Sequence, residues 1–132
     1  MENKLKHLEM IQSVITRMAG NSFLLKGWSV TLVSALIALA TSGTDKRFIL
    51  IAYFPVIMFW VLDGYFLRQE RLFRKLYDKV RGSDENSIDF SMNTASFSSE
   101  VSSVIGVMFS QTLILFYGAV VGVIILLMLI IR

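Results

Sequence analysis

The stretch Trp60-Val61-Leu62-Asp63-Gly64-Tyr65-Phe66-Leu67-Arg68-Gln69-Glu70-Arg71-Leu72-Phe73-Arg74-Lys75-Leu76-Tyr77-Asp78-Lys79-Val80-Arg81 decides how this chain is organised. Up to Leu67 it reads as the end of a membrane-crossing helix. From Arg68 onward it places Leu72, Phe73, Leu76, Tyr77 and Val80 on one helical face and Arg68, Arg71, Arg74, Lys75 and Lys79 largely on the other. Nothing between Gly64 and Arg81 breaks a helix, so one continuous helix should leave the bilayer and run on into water. Gly82, followed by the acidic Ser83-Asp84-Glu85-Asn86, marks its stop.

Composition agrees with a membrane reading. Of the 132 residues, 55% are apolar, above the roughly 45–50% of a soluble domain, and the mean hydropathy is +0.63. The excess falls in three blocks. The polar segments between them are too short to bury a core of their own, which predicts a single integral unit stabilised by oligomerisation. The chain has no cysteine, which excludes disulfides, thiolate catalysis and Cys-ligated zinc, and a single His cannot build a metal site. The opening Met1-Glu2-Asn3-Lys4-Leu5-Lys6 does not read as a cleavable signal, because no small-residue cleavage motif closes the first apolar block.

Working outward, Leu5, Leu8, Ile11, Ile15 and Met18 recur at steps of three and four, so residues 3–19 read as an amphipathic helix. Ala19-Gly20-Asn21-Ser22 offers a break before a first span over 23–42. Gly43-Thr44-Asp45-Lys46-Arg47 reads as a turn. The second span, 48–67, holds seven of the sixteen aromatic residues, and Pro55 near its middle is expected to bend it. Residues 68–103 form a cytosolic segment in which Ser87 to Asn93 alternates apolar and polar residues, a weak strand signal. Ser98 or Ser99 before Glu100 suits a helix start. The third span, 104–131, is longer than a hydrocarbon core of about 30 Å requires. The expected fold is an all-α membrane protein: three transmembrane helices, an N-terminal amphipathic helix and a cytosolic extension of the second span.

Charge sets the expected topology. Ten of the thirteen Lys and Arg residues fall in the N-terminal segment, at Lys26, or in residues 68–100. By the positive-inside rule the N-terminus and central segment face the cytosol and the C-terminus faces outside. No basic and aromatic base-reading pattern accompanies the net charge of +3, so no nucleic-acid partner is expected.

Asp63 is the residue most in need of explanation, because a carboxylate inside a span is costly and commonly functional. In an antiparallel hairpin it falls near the depth of Lys26, and the two should pair. Proton relay, ion binding or snorkelling to water are the alternatives. Gly27, Thr31, Ser34 and Ala38 line one stripe of the first span, and Ser102, Gly106 and Ser110, then Gly118 and Gly122, form two small-residue patches on the third. These are candidate oligomer contacts, the last two patches pointing roughly 140° apart on one helix. Gln111 and Thr112 could line an aqueous path or bond between helices. The face carrying Arg68, Arg71, Phe73, Arg74, Lys75 and Tyr77 is a candidate contact for a cytosolic protein partner or for anionic lipid.

No nucleophile with its base, no metal set and no phosphate loop is visible, so neither an enzyme nor a cofactor is expected. The amphipathic lead-in, the hairpin and the helix continuing past Arg68, over residues 5–81, resemble in arrangement the small transmembrane effector proteins of bacterial conflict systems, such as the SLATT group. What the resemblance implies is a homo-oligomeric inner-membrane protein that perturbs the membrane as an effector or pore in antiphage defence, or that anchors a complex there. It assigns no functional residue.

Overall fold

The computed structural model describes residues 2–42 and 47–131. They are organised as α1 (Glu2–Thr41), α2 (Phe48–Ile51), α3 (Tyr53–Arg81), α4 (Val104–Met108) and α5 (Gln111–Ile131), with short 3-10 turns at Glu85–Ser87 and Ala95–Phe97. No strand is present among the described residues. Three helical stretches, ending at Ala40, Arg81 and Ile130, are long and apolar enough to cross a membrane. The turn expected at 43–47 lies outside the described residues except for Arg47, as does Arg132.

The amphipathic lead-in and the first span are one helix. α1 is 40 residues long, roughly 60 Å, about twice a hydrocarbon core. The break expected at Ala19-Gly20-Asn21-Ser22 does not occur. A glycine inside a helix costs only about 1 kcal/mol, and α1 packs along α3 on both sides of that point, from Ile11 and Ile15 against Leu76 and Val80 to Val33 and Ala40 beside Val56.

Pro55 interrupts the second span, but one turn upstream of itself. Lacking an N–H, it leaves the Ile51 carbonyl without its helical donor and crowds it. The chain responds with a tighter turn at Ala52, whose N–H bonds Ile49 O at 3.2 Å. From Tyr53 α3 runs unbroken to Arg81, and Gly82 ends it with an ordinary right-handed backbone (φ −88°).

The third span also departs from the single helix expected over 104–131. It starts with Ser103, not Ser98 or Ser99, as its cap: Ser103 Oγ accepts the Gly106 N–H. It breaks at Phe109–Ser110 because Trp60 Nε1 donates to Met108 O at 2.7 Å. In a continuous helix that carbonyl would accept from Thr112. Gly64 permits the docking of α4, since a Cβ there would lie 2.7 Å from Met108 Cγ and 3.4 Å from Val104 O.

Two apolar clusters result. The larger joins Val33, Ala40, Ile49, Ala52, Val56, Val107, Leu113, Tyr117 and Ile124 across all three spans. The smaller, at the polar end, joins Ile11, Ile15, Leu76 and Val80 with Leu8, Phe73, Tyr77, Ile88, Met92 and Phe97 packed on it. Around the larger cluster Phe23, Trp28, Phe54, Leu115 and Ile130 remain mostly exposed. Such a surface is costless only where the surrounding solvent is itself apolar.

Candidate functional site: a buried ionic network between the spans

Asp63 is 0% exposed. Its position on α3 turns it toward α1 and α5, and each supplies a donor. Lys26 Nζ lies 2.6 Å from Asp63 Oδ2, Tyr117 Oη donates to the same oxygen at 3.0 Å, and Ser22 Oγ donates to Oδ1. Lys26 also donates to Ser22 Oγ at 2.8 Å. A carboxylate moved from water into a low-dielectric interior is tolerable only when paired and hydrogen-bonded, and here both oxygens are engaged.

The surroundings hold the network in place. Trp60 stacks on Tyr117, with ring centroids 5.9 Å apart and planes within 8°, and Phe116 meets Tyr117 edge-on at 4.9 Å. Lys26 Nζ lies 5.9 Å from the Phe116 ring centroid, a geometry in which the ring quadrupole attracts the cation. The Lys26 side chain keeps 20% exposure, against none for Asp63.

The structure thus brings Lys26 and Asp63 together and adds two residues that sequence reasoning missed. Ser22 reads in sequence as part of a helix break, although it stands one turn before Lys26, the spacing at which two helical side chains share a face. Tyr117 carried no signal, because its role depends on where the interrupted third span docks. The network can neutralise charge within the bundle and clamp three helices. Among the described residues no cluster of metal-ligating side chains occurs.

The other candidate residues are dispersed. Gly27, Thr31, Ser34 and Ala38 are exposed on α1, with Thr31 Oγ1 donating back to Gly27 O at 2.9 Å. Ser102, Gly106 and Ser110 do not form one helical stripe: Ser102 precedes α4 and Ser110 sits in the break, its buried hydroxyl without a partner among the described residues. Gly118 and Gly122 face open space on α5. Gln111 and Thr112 are exposed in the first turn of α5. Arg68 turns inward to the backbone, its Nε donating to Ser102 O at 3.0 Å and Nη2 to Ser98 O at 3.4 Å. Phe73 and Tyr77 pack on the smaller cluster, while Arg74 and Lys75 are exposed and Arg71 is half-buried.

The segment after α3 is tied down by groups that alternation alone obscured. Ser91 N donates to Asp89 Oδ1, Asn93 N to Ser91 Oγ and Ala95 N to Asn93 Oδ1, at 2.9–3.2 Å. Each of the alternating polar side chains Asp89, Ser91 and Asn93 therefore occupies the backbone two residues on, which favours turns over the expected strand. Phe90 adopts φ 56°, a left-handed conformation uncommon for an aromatic residue, and its ring lies 5.5 Å from that of His7. His7, within the stretch that reads as an amphipathic helix over residues 3–19, is 1% exposed, with Nε2 2.9 Å from Ser91 O. Glu85 accepts the free N–H groups of Asn3 and Lys4 at 2.9 and 3.1 Å, capping α1 from across the chain. No family model, curated protein or solved structure matches this chain.

Proposed function

We propose that the chain is a homo-oligomeric effector of the bacterial inner membrane, in which contact with a cytosolic protein partner at the polar end changes the packing of the spans and perturbs the bilayer. One observation carries this reading: α1 and α3 run unbroken from the polar-end cluster into the membrane bundle, where the Ser22, Lys26, Asp63 and Tyr117 network clamps them. A displacement imposed on Leu76 or Val80 is passed along a continuous helix to Asp63. Interfaces and packed cores of this kind switch between discrete arrangements. The positive-inside balance puts the N-terminus in the cytosol and the C-terminus outside. The resemblance to small transmembrane effectors of conflict systems supports a role in antiphage defence.

The exposed stripe of Gly27, Thr31, Ser34 and Ala38 and the open face at Gly118 and Gly122 are the surfaces on which further copies would pack. In such a ring Gln111 and Thr112 would stand at the mouth of any aqueous path.

The second reading is a non-conducting anchor that recruits the partner through residues 68–100. It is favoured by the completeness of the network, in which Lys26 and Asp63 pair with each other and so neutralise the buried charge. Liposomes loaded with a self-quenched dye separate the two. Release by the reconstituted chain, increased in Asp63→Asn, supports the effector. Tight liposomes under every condition, with a partner co-purifying through residues 68–100, would establish the anchor instead.

A further inference from the structure

We infer that the groove between α3 and residues 100–102 binds the phosphodiester of a phospholipid headgroup. The groove has a volume of about 310 Å³ and is lined by Arg71, Arg74, Lys75 and Asp78 on one wall and Glu100, Val101 and Ser102 on the other. The site is independent of whether the protein is an effector or an anchor, and needs only that the spans lie in a bilayer.

Depth selects the ligand. Val61, Leu62 and Tyr65 are the last exposed large apolar residues along α3 toward the polar end, so the hydrocarbon ends before Arg68. Arg71 and Lys75 then stand about 4.5 and 10.5 Å further along the helix, within or just beyond a headgroup layer of about 5–7 Å on each side of the core.

Charge selects it further. Arg74 is engaged by Glu70 at 3.3 Å and Asp78 by Arg81 at 3.8 Å. Arg71 and Lys75, one helical turn apart, have no ion-pair partner among the described residues, and are left to meet an anion. Arg71 offers the planar fork that matches phosphate oxygens in pairs and Lys75 a point charge beside it. The Glu100 carboxylate on the opposite wall also has no ion-pair partner among the described residues. It repels a multiply charged phosphate, and it can accept a hydrogen bond from the hydroxyl or amine of a headgroup carrying a single negative charge. Arg68 shapes this wall, since its two bonds to Ser98 O and Ser102 O fix the backbone that faces α3.

The test titrates the purified full chain in detergent with short-chain phosphatidylglycerol and, separately, with glycerol 3-phosphate, counting bound adducts by native mass spectrometry. The wild type should carry phosphatidylglycerol and not glycerol 3-phosphate. The Arg71→Gln, Lys75→Gln double variant should bind the lipid roughly thirtyfold more weakly, two headgroup cations having been removed. Lys6→Gln with Lys79→Gln removes the same charge from exposed positions outside the groove and should bind as the wild type does. Equal losses in both double variants would reduce the effect to diffuse attraction and overturn the site. Equal binding of glycerol 3-phosphate would overturn the lipid as its source. Unchanged melting of the groove variant in lipid-free detergent checks that it remains folded.

Discussion

Tyr117 donates its phenolic hydrogen to Asp63 Oδ2 at 3.0 Å across 54 positions of sequence. This bond brings the interrupted third span into the hairpin, because the carboxylate it meets is already held by Lys26 and Ser22 from the first. Tyr117→Phe keeps the ring stacked on Trp60 and removes one bond to a charged acceptor. Denaturant titration in detergent should show a loss of about 1.5–3 kcal/mol. A loss within error would mean that stacking alone positions α5.

Lys26→Met leaves the Asp63 charge buried with only two neutral donors and should cost about 3–5 kcal/mol. Pairing it with Asp63→Leu removes the stranded charge, and the double variant should regain most of that stability. Additive losses in this cycle would show that the two side chains are not coupled.

Gly64 and Gly122 should respond in opposite ways. A side chain at Gly64 meets Met108 and Val104 O, so Gly64→Val should displace α4 and destabilise the protomer by about 1–3 kcal/mol. Gly122 faces open space, so Gly122→Val should leave the protomer's melting unchanged. If this face joins copies, the mass of the complex in detergent falls.

At the polar end, Phe73→Asp places a carboxylate on the cluster of Ile11, Ile15, Leu76 and Val80. Limited proteolysis should then cut residues 83–103, which lose their apolar anchorage. Lys75→Ala, at an exposed position, should leave the digestion pattern unchanged. Comparable cleavage in both variants would mean that charge rather than packing holds this end.

Trp60→Phe removes the donor to Met108 O while keeping an aromatic ring against Tyr117. The carbonyl is then free to accept from Thr112, and α4 can join α5. Amide exchange at Thr112 should slow in the variant. Unchanged exchange would place the cause of the break elsewhere.

The sequence by itself determined three apolar helices, the hairpin order of the first two and the continuation of α3 through Arg81. Hydrophobic blocks and a 3.6-residue period are properties of consecutive residues, and lipid forces such blocks into helices whatever surrounds them. It also paired Lys26 with Asp63 by depth alone. Only the tertiary structure decided that α1 crosses Gly20 without a break, that the third span stops and restarts at Phe109, and that His7 is buried under Ser91. In each case a partner distant in sequence, whether α3, Trp60 or the folded-back segment after Gly82, supplies the packing or hydrogen bond that overrides the local preference. Asp63 shows both sides: its cost was legible in one residue, but the four-residue network that offsets it exists only once three helices meet.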